Sequence, residues 1–287
     1  MKAAVYAAKI FQSFANTGIR GKITAGFFYG LLKLIKPRAK KMNENLKLVY
    51  PESSEKWRRE IIFKVYESLA WTLTETLVLQ KDHSQAFKWV KKVKNIEILN
   101  NLIDKKQGAI FLTCHFGNWE LFGSWTAQYE IERGHELHVV YQETHDKDIS
   151  DYIREMRENG AMRMISKDMS VMKMAHMLKN GAHIAVLNDV SGTNKMKVPF
   201  MGVEANNMPG PAILALLTGA TVLTLCLYRK APFEHEAEIL GPLKIPDKNL
   251  NHEERIRLMV LEMNNSMEKL IKKSPGQWFW LHNRWKK

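Results

Sequence analysis

The chain has 287 residues, is 45% apolar and 25% charged, and carries a formal charge of +13. This mixture excludes a wholly disordered or collagen-like chain, and the length suits one large domain or two ordinary ones. Of the 43 Lys and Arg, nine fall in residues 1–43 and six in residues 269–287, where there is no acid; the remaining 28 face all 30 acidic residues. A body without positive surplus argues against a protein that binds nucleic acid along its length, and no nucleic-acid partner is expected. Basic ends suit an anionic membrane surface.

The first apolar stretches are interrupted by Lys9, Arg20, Lys22 and Lys33. None provides the roughly 18–20 apolar residues of a spanning helix, and no basic–apolar–small pattern marks a cleavable leader. Ile23 to Ile35 is the most apolar piece, preceded by Arg20 and Lys22 and followed by Lys36, Arg38, Lys40 and Lys41. It reads as a helix lying in the membrane interface, or as an ordinary amphipathic helix packed on the body. Residues 1–50 are taken as a helical, membrane-associating segment and residues 51–287 as the catalytic domain.

Ser53-Ser54-Glu55 opens a long helix with Ile61, Ile62, Val65, Leu69, Leu73 and Leu77 on one face. Asn95 to Lys105 is a shorter helix. AIFLTC (109–114) is a continuous apolar run after Gly108, the pattern of a strand buried on both faces. A helix over 119–129, a strand over 137–142, a helix over 149–158 and a strand over 162–166 follow. Next come a helix over 169–179, a strand over 183–188 and a helix over 209–218 with Pro209 and Pro211 in its first turn. Strands over 221–229 and 235–240, the second alternating like an edge strand, precede a long helix over 253–272. Alternation from about 108 to 230 predicts an α/β fold with a mostly parallel central sheet flanked by helices, behind a helical N-terminal extension.

Two cysteines, Cys114 and Cys226, form no disulfide framework, and no Cys/His spacing for zinc occurs, so neither metal nor cofactor is expected. The chemically informative stretch is Leu112-Thr-Cys-His-Phe-Gly-Asn-Trp-Glu120. His115 directly follows a buried strand, where ligands of parallel sheets collect, and Glu120 lies five residues on. The two read as a base and its orienting carboxylate, or as a capping His and a surface Glu. No G-x-S-x-G elbow supports a hydrolase triad. Cys114 beside His115 is not read as a nucleophile, because adjacent strand residues point to opposite faces.

HFGNWE (115–120) resembles the H-x-x-x-x-D/E signature of glycerolipid-type acyltransferases. The chain from about residue 40 onward is similar to the late lipid A biosynthesis acyltransferases, the lauroyl/myristoyl transferases of Gram-negative bacteria, within the lysophospholipid acyltransferase-like superfamily. The similarity extends to Leu187-Asn-Asp189 with a following loop containing Gly192, VPFMG (198–202), NMPGPAILALLTGATVL (207–223) and WFWLHNRWK (278–286). Departures are Gln142 and Asn283 in place of Arg, and Val190 in place of Gln.

The resemblance implies an O-acyltransferase domain that moves a fatty acyl chain from acyl carrier protein to a lipid A precursor, at the cytoplasmic face of the bacterial inner membrane. Another membrane glycolipid or aminolipid is the alternative acceptor, and a non-catalytic membrane-binding relative the rival of a different class. His115 would take the acceptor's proton and Glu120 would orient it, with backbone N–H groups around Phe116–Asn118 receiving the developing oxyanion. Asn118, Arg163, Asp189, Phe200 and Gly202 are the candidate substrate-binding residues. Asp189 reads equally as a loop cap, Phe200 as core and Gly202 as a turn. Arg163, Arg229, His282 and Arg284 are candidates for phosphate or carrier contact, each with an ion-paired or solvated alternative. Trp278, Trp280 and Trp285 among basic residues suit a membrane-interface belt.

Overall fold

The computed structural model describes residues 2–144, 146–191 and 196–285; Gly192 and Lys286 of the quoted motifs lie outside them. Helices α1 (Lys2–Phe14), α2 (Ile19–Ile35) and α3 (Ala39–Val49) precede the long α4 (Glu55–Leu79) and the short α5 (Gln85–Trp89). Then follow β1 (Val90–Lys94), α6 (Ile96–Asp104), β2 (Ala109–Thr113), α7 (Trp119–Ile131), β3 (Leu137–Tyr141), α8 (Lys147–Asn159), β4 (Arg163–Ser166) and α9 (Val171–Lys179). The rest is β5 (His183–Leu187), β6 (Met196–Phe200), β7 (Val203–Asn207), α10 (Gly210–Thr218), β8 (Thr221–Ala231), β9 (Glu234–Leu240) and α11 (His252–Ile271).

Seven strands form the main sheet in the order β1-β9-β8-β2-β5-β3-β4. β8, β2, β5, β3 and β4 run parallel, and β9 turns back antiparallel on β8. The mostly parallel α/β reading therefore holds. The central strand β2 is buried on both faces, as its apolar run requires: Phe111 packs with Leu121, Val139 and Leu225 on one side, Ile110 and Leu112 with Ile184, Val222 and Met263 on the other. The sequence patterns missed β1 because VKKVK is an edge strand with exposed lysines, which discourage further pairing. They also missed the β6–β7 hairpin. Its turn places Met201 and Gly202 at φ 55° and 77°, the two positive dihedrals of a tight two-residue hairpin, with Gly at the second.

Helix starts follow local chemistry. Ser54 accepts from Trp57 N at α4, Asn118 from Leu121 N at α7, and Asn251 from Glu254 N at α11, each satisfying an orphan N–H. The apolar face expected of α4 is only partly right: Leu73 is 48% exposed, whereas Thr72, Thr74 and Glu75 are buried. The helix is wedged between α2 and the sheet end, so it buries two sides rather than one stripe.

Glu75 is fully buried and takes Arg229 of β8 in a two-pronged ion pair, Nε–Oε1 3.0 Å and Nη2–Oε2 2.7 Å. The carboxylate also accepts from Phe233 N and Asn118 Nδ2. Burial pushes its pKa up, but Arg229 and His235 beside it outweigh that and hold it well below the carboxylate range. Arg229 is thus a structural cation, not a free phosphate ligand. Replacing Glu75 by Leu should strand the guanidinium and cost about 3–5 kcal/mol of stability, whereas Glu75→Leu with Arg229→Met should recover most of it. Urea unfolding midpoints check this; an unchanged midpoint for the single variant contradicts it.

Candidate active site

The site is built where β2 and β5 end. The two strands pair in register, with Thr113 opposite Leu187. Two residues further along each strand stand His115 and Asp189, on the same face because the side-chain period is two. The His115 Nδ1 and Asp189 Oδ1 atoms are 2.8 Å apart, and His115 N donates to Oδ2 at 2.8 Å. Trp278 Nε1 donates to the same Oδ2 at 2.9 Å. Asp189 is fully buried, which raises its pKa, but the charge and hydrogen bonds of His115, with His282 nearby, outweigh burial and hold it far below the ordinary carboxylate value.

The tautomer that satisfies Asp189 carries its proton on Nδ1, which leaves Nε2 as a free base. Burial lowers the pKa of His115, but the Asp189 charge and hydrogen bond outweigh burial and raise it above the ordinary value. Its side chain keeps 22% exposure, so a substrate can reach it. Phe279 and Trp119 pack against the ring, the latter edge-on at a centroid distance of 5.2 Å. His282 lies at 5.1 Å, and burial pushes its pKa down to about 4, so it stays neutral beside His115.

The loop that carries His115 is held on its backbone. His115 O accepts from Phe279 N, Gly117 N donates to Gln277 O, and Gly117 O accepts from Thr72 Oγ1. Gly117 has φ 57°, and a Cβ there would fall on the Leu227 carbonyl oxygen, so only Gly fits. Asn118 is buried with both ends of its amide occupied, Oδ1 by Leu121 N and Nδ2 by Glu75. It anchors the loop.

The expected hydrogen bond between His115 and Glu120 is not formed; Asp189 occupies that position. Glu120 instead receives Arg157 of α8 through Nε at 2.9 Å and Nη2 at 2.7 Å, and Trp119 Nε1 at 3.0 Å. Its charge still contributes to the raised pKa of His115. Beside this pair a partly open apolar pocket of about 50 Å³ lies against the sheet face under α7. Thr113, Leu187 and Trp119 stand at its polar end, and Phe111, Leu137, Val139, Met162 and Leu225 line its interior.

The other candidates separate cleanly. Phe200 is fully buried between Trp278 and Trp285, under the Arg284 guanidinium at 4.9 Å, and Gly202 serves the hairpin turn. Neither lines the cavity. Arg163 starts β4 at the opposite end of the sheet and pairs on the surface with Glu136. The tryptophan belt is also corrected: Trp278, Trp280 and Trp285 are 1%, 0% and 9% exposed and pack around the site. Arg284 is buried with them and donates to the Val190 and Asn206 carbonyls, fixing the segment after Asp189. The segment Trp278–Trp285 therefore packs inward, because its indole N–H and guanidinium donors have buried acceptors there.

Residues 18–287 match the family described as bacterial lipid A biosynthesis acyltransferase. The chain belongs to that family. It is an acyltransferase of lipid A biosynthesis. It is 28% identical over 262 residues to the lipid A biosynthesis lauroyltransferase of Escherichia coli, covering 89% of this chain and 81% of the relative. It is 25% identical over 259 residues to the lipid A biosynthesis palmitoleoyltransferase of Escherichia coli and to a lipid A biosynthesis acyltransferase of Shigella flexneri, covering 88% of this chain and 80% of each relative.

The sequence patterns missed Trp278 and Arg157 as partners of the acyltransferase site. The WFW segment is legible as part of the family resemblance and as an interface belt but not as a partner of Asp189, and Arg157 sits unmarked in a strongly polar helix. If His115 is the base, activity falls as pH drops through its raised pKa. Asp189→Asn should lower kcat/KM by about 10²–10⁴-fold and move that acidic limb to lower pH. A pH–rate profile checks both; an unmoved limb assigns the base elsewhere.

Proposed function

We propose that this acyltransferase moves a fatty acyl chain from an acyl carrier protein thioester to a hydroxyl of a lipid A precursor. The observation that carries the reading is His115 with Nδ1 tied to Asp189 and Nε2 free, near a partly open apolar pocket that Trp119 and Glu120 line. A hydroxyl is a weak nucleophile at its own pKa, so a positioned base is required. His115 removes its proton, and Asp189 stabilises the imidazolium that forms. The cavity suits an alkyl chain, since its interior is lined by Phe, Leu, Val and Met. The named relatives act in lipid A biosynthesis with lauroyl and palmitoleoyl groups. Glu120 belongs to the site as the partner of Arg157 rather than as a direct support of His115.

Residues 1–50 form the membrane-associating part in this reading. No helix among the described residues is long and apolar enough to cross a membrane. Instead α2 buries its small residues Gly21, Thr24 and Ala25 and turns Ile23, Phe27, Leu31 and Leu34 outward, at 55%, 52%, 41% and 81% exposure. Tyr6, Ile10 and Phe14 of α1 add to this apolar surface. Arg20, Lys22, Lys33 and Lys36 flank it. An inverted helix with basic flanks suits the interface of an anionic bilayer, on the side where a carrier protein and a growing lipid A precursor meet.

His115→Ala should abolish transfer in purified, folded protein while membrane binding persists. Mass spectrometry of lipid A from cells with and without the gene should show a loss of one acyl mass; unchanged lipid A would point to another acceptor. Ile23→Glu with Phe27→Glu should reduce sedimentation with anionic vesicles by about tenfold or more, since apolar area and cationic flanks both contribute to binding. Undiminished sedimentation would place the attachment outside α2.

A further inference from the structure

Acyl transfer needs a donor for the oxygen that becomes negative when the thioester carbonyl is attacked, and such a donor must be aimed before reaction. In the loop after His115 two of the N–H groups are already occupied. Phe116 N donates to Cys114 O at 2.7 Å and Gly117 N to Gln277 O at 3.0 Å. A cation stands nearby instead. Arg157 and Glu120 are the charged side chains among the residues lining the apolar cavity, each 14% exposed. A chain seated in that pocket brings its carbonyl to the polar end, beside Trp119, whose ring touches both sides of the arrangement: it packs in a T-shaped contact with His115 and its Nε1 donates to Glu120.

A guanidinium has five N–H groups. Glu120 takes one from Nε and one from Nη2 of Arg157. The two on Nη1 and the second on Nη2 meet no partner among the described residues. Glu120 thus fixes one edge of the planar cation and leaves the other available. We infer that Arg157 is a catalytic residue of the proposed transfer, whose unpaired N–H groups bind the thioester carbonyl oxygen and stabilise the oxyanion. This assignment rests on the reading of His115 as the base.

The step balances as follows. The acceptor oxygen forms a bond to the thioester carbon, its proton passes to His115 Nε2, and the carbonyl electron pair moves onto the oxygen held by Arg157. Collapse restores the carbonyl and breaks the carbon–sulfur bond. The departing thiolate takes the proton from His115 and leaves as the thiol of the carrier. Arg157 exchanges no proton at any point; it supplies charge and two directed donors.

The test uses the full chain in detergent, with acyl carrier protein thioesters of graded chain length and a lipid A precursor. Arg157→Gln should lower kcat by about 10²–10³-fold while the KM for the thioester changes by less than about threefold, as expected of a group that acts mainly in the transition state. Arg157→Lys should recover part of that loss. Because Arg157→Gln leaves Glu120 buried without its partner, the Arg157→Gln/Glu120→Gln double variant is measured alongside, with thermal unfolding to confirm the fold. A double variant as slow as Arg157→Gln supports the assignment. Recovery of the double variant to the rate of Glu120→Gln alone overturns it, because Arg157 then only balances a charge. A loss confined to KM also overturns it. Full activity of His115→Ala would instead refute the underlying reading, independently of Arg157.

Discussion

Everything at the site depends on the in-register pairing of β2 with β5. Parallel pairing of Thr113 with Leu187 fixes where each strand ends, and the period of two then brings His115 and Asp189 face to face. No flexible search is needed to form the pair, because main-chain hydrogen bonds of the sheet have already done the alignment. A slip of one residue would turn the carboxylate to the opposite face. The same argument explains why Cys114, one residue earlier, lies in the apolar cluster with Cys226 and Phe116 and takes no part in the chemistry.

The electrostatics of the site form two linked pairs with different purposes. Asp189 raises the pKa of His115 and selects the tautomer, while the charge and hydrogen bonds of His115 in turn keep the buried carboxylate ionised. Glu120 holds Arg157 and only adds to the field at His115. Separating the two carboxylates lets one hold an imidazole while the other fixes a cation at the pocket. If a single carboxylate served both, its charge would be shared between imidazolium and guanidinium, and each would be positioned less tightly.

Much of the fold was legible because the buried strands announce themselves as apolar runs and the helices as capped periodic segments. The site was legible in part. His115 and Asp189 both stand at strand ends, which is where the α/β topology collects function. Their mutual bond was not, since it depends on which strands are neighbours, and β5 inserts between β2 and β3 out of chain order. Glu120 drew the orienting role because it is near His115 in sequence, whereas Asp189 is 74 residues away. The terminal tryptophans misled for a related reason. Aromatic and basic residues side by side suit an interface, but they equally suit a buried platform when indole N–H and guanidinium groups find carboxylate and carbonyl acceptors.

The charge distribution takes on a different meaning in this light. Both ends of the chain are basic, but they are used oppositely. At the N-terminus Gly21, Thr24 and Ala25 face the protein while Ile23, Phe27, Leu31 and Leu34 face outward, which leaves cations beside an exposed apolar surface. At the C-terminus Arg284 is buried against carbonyl oxygens, and Lys272 and Lys273 pair with Glu268 and Glu238. An unpaired cation near apolar surface attracts anionic lipid, whereas a paired and buried one has already spent its hydrogen bonds inside the fold. Of the terminal cations, Arg284 belongs to the architecture around Asp189, whereas the cations of the first 41 residues stand beside an exposed apolar surface.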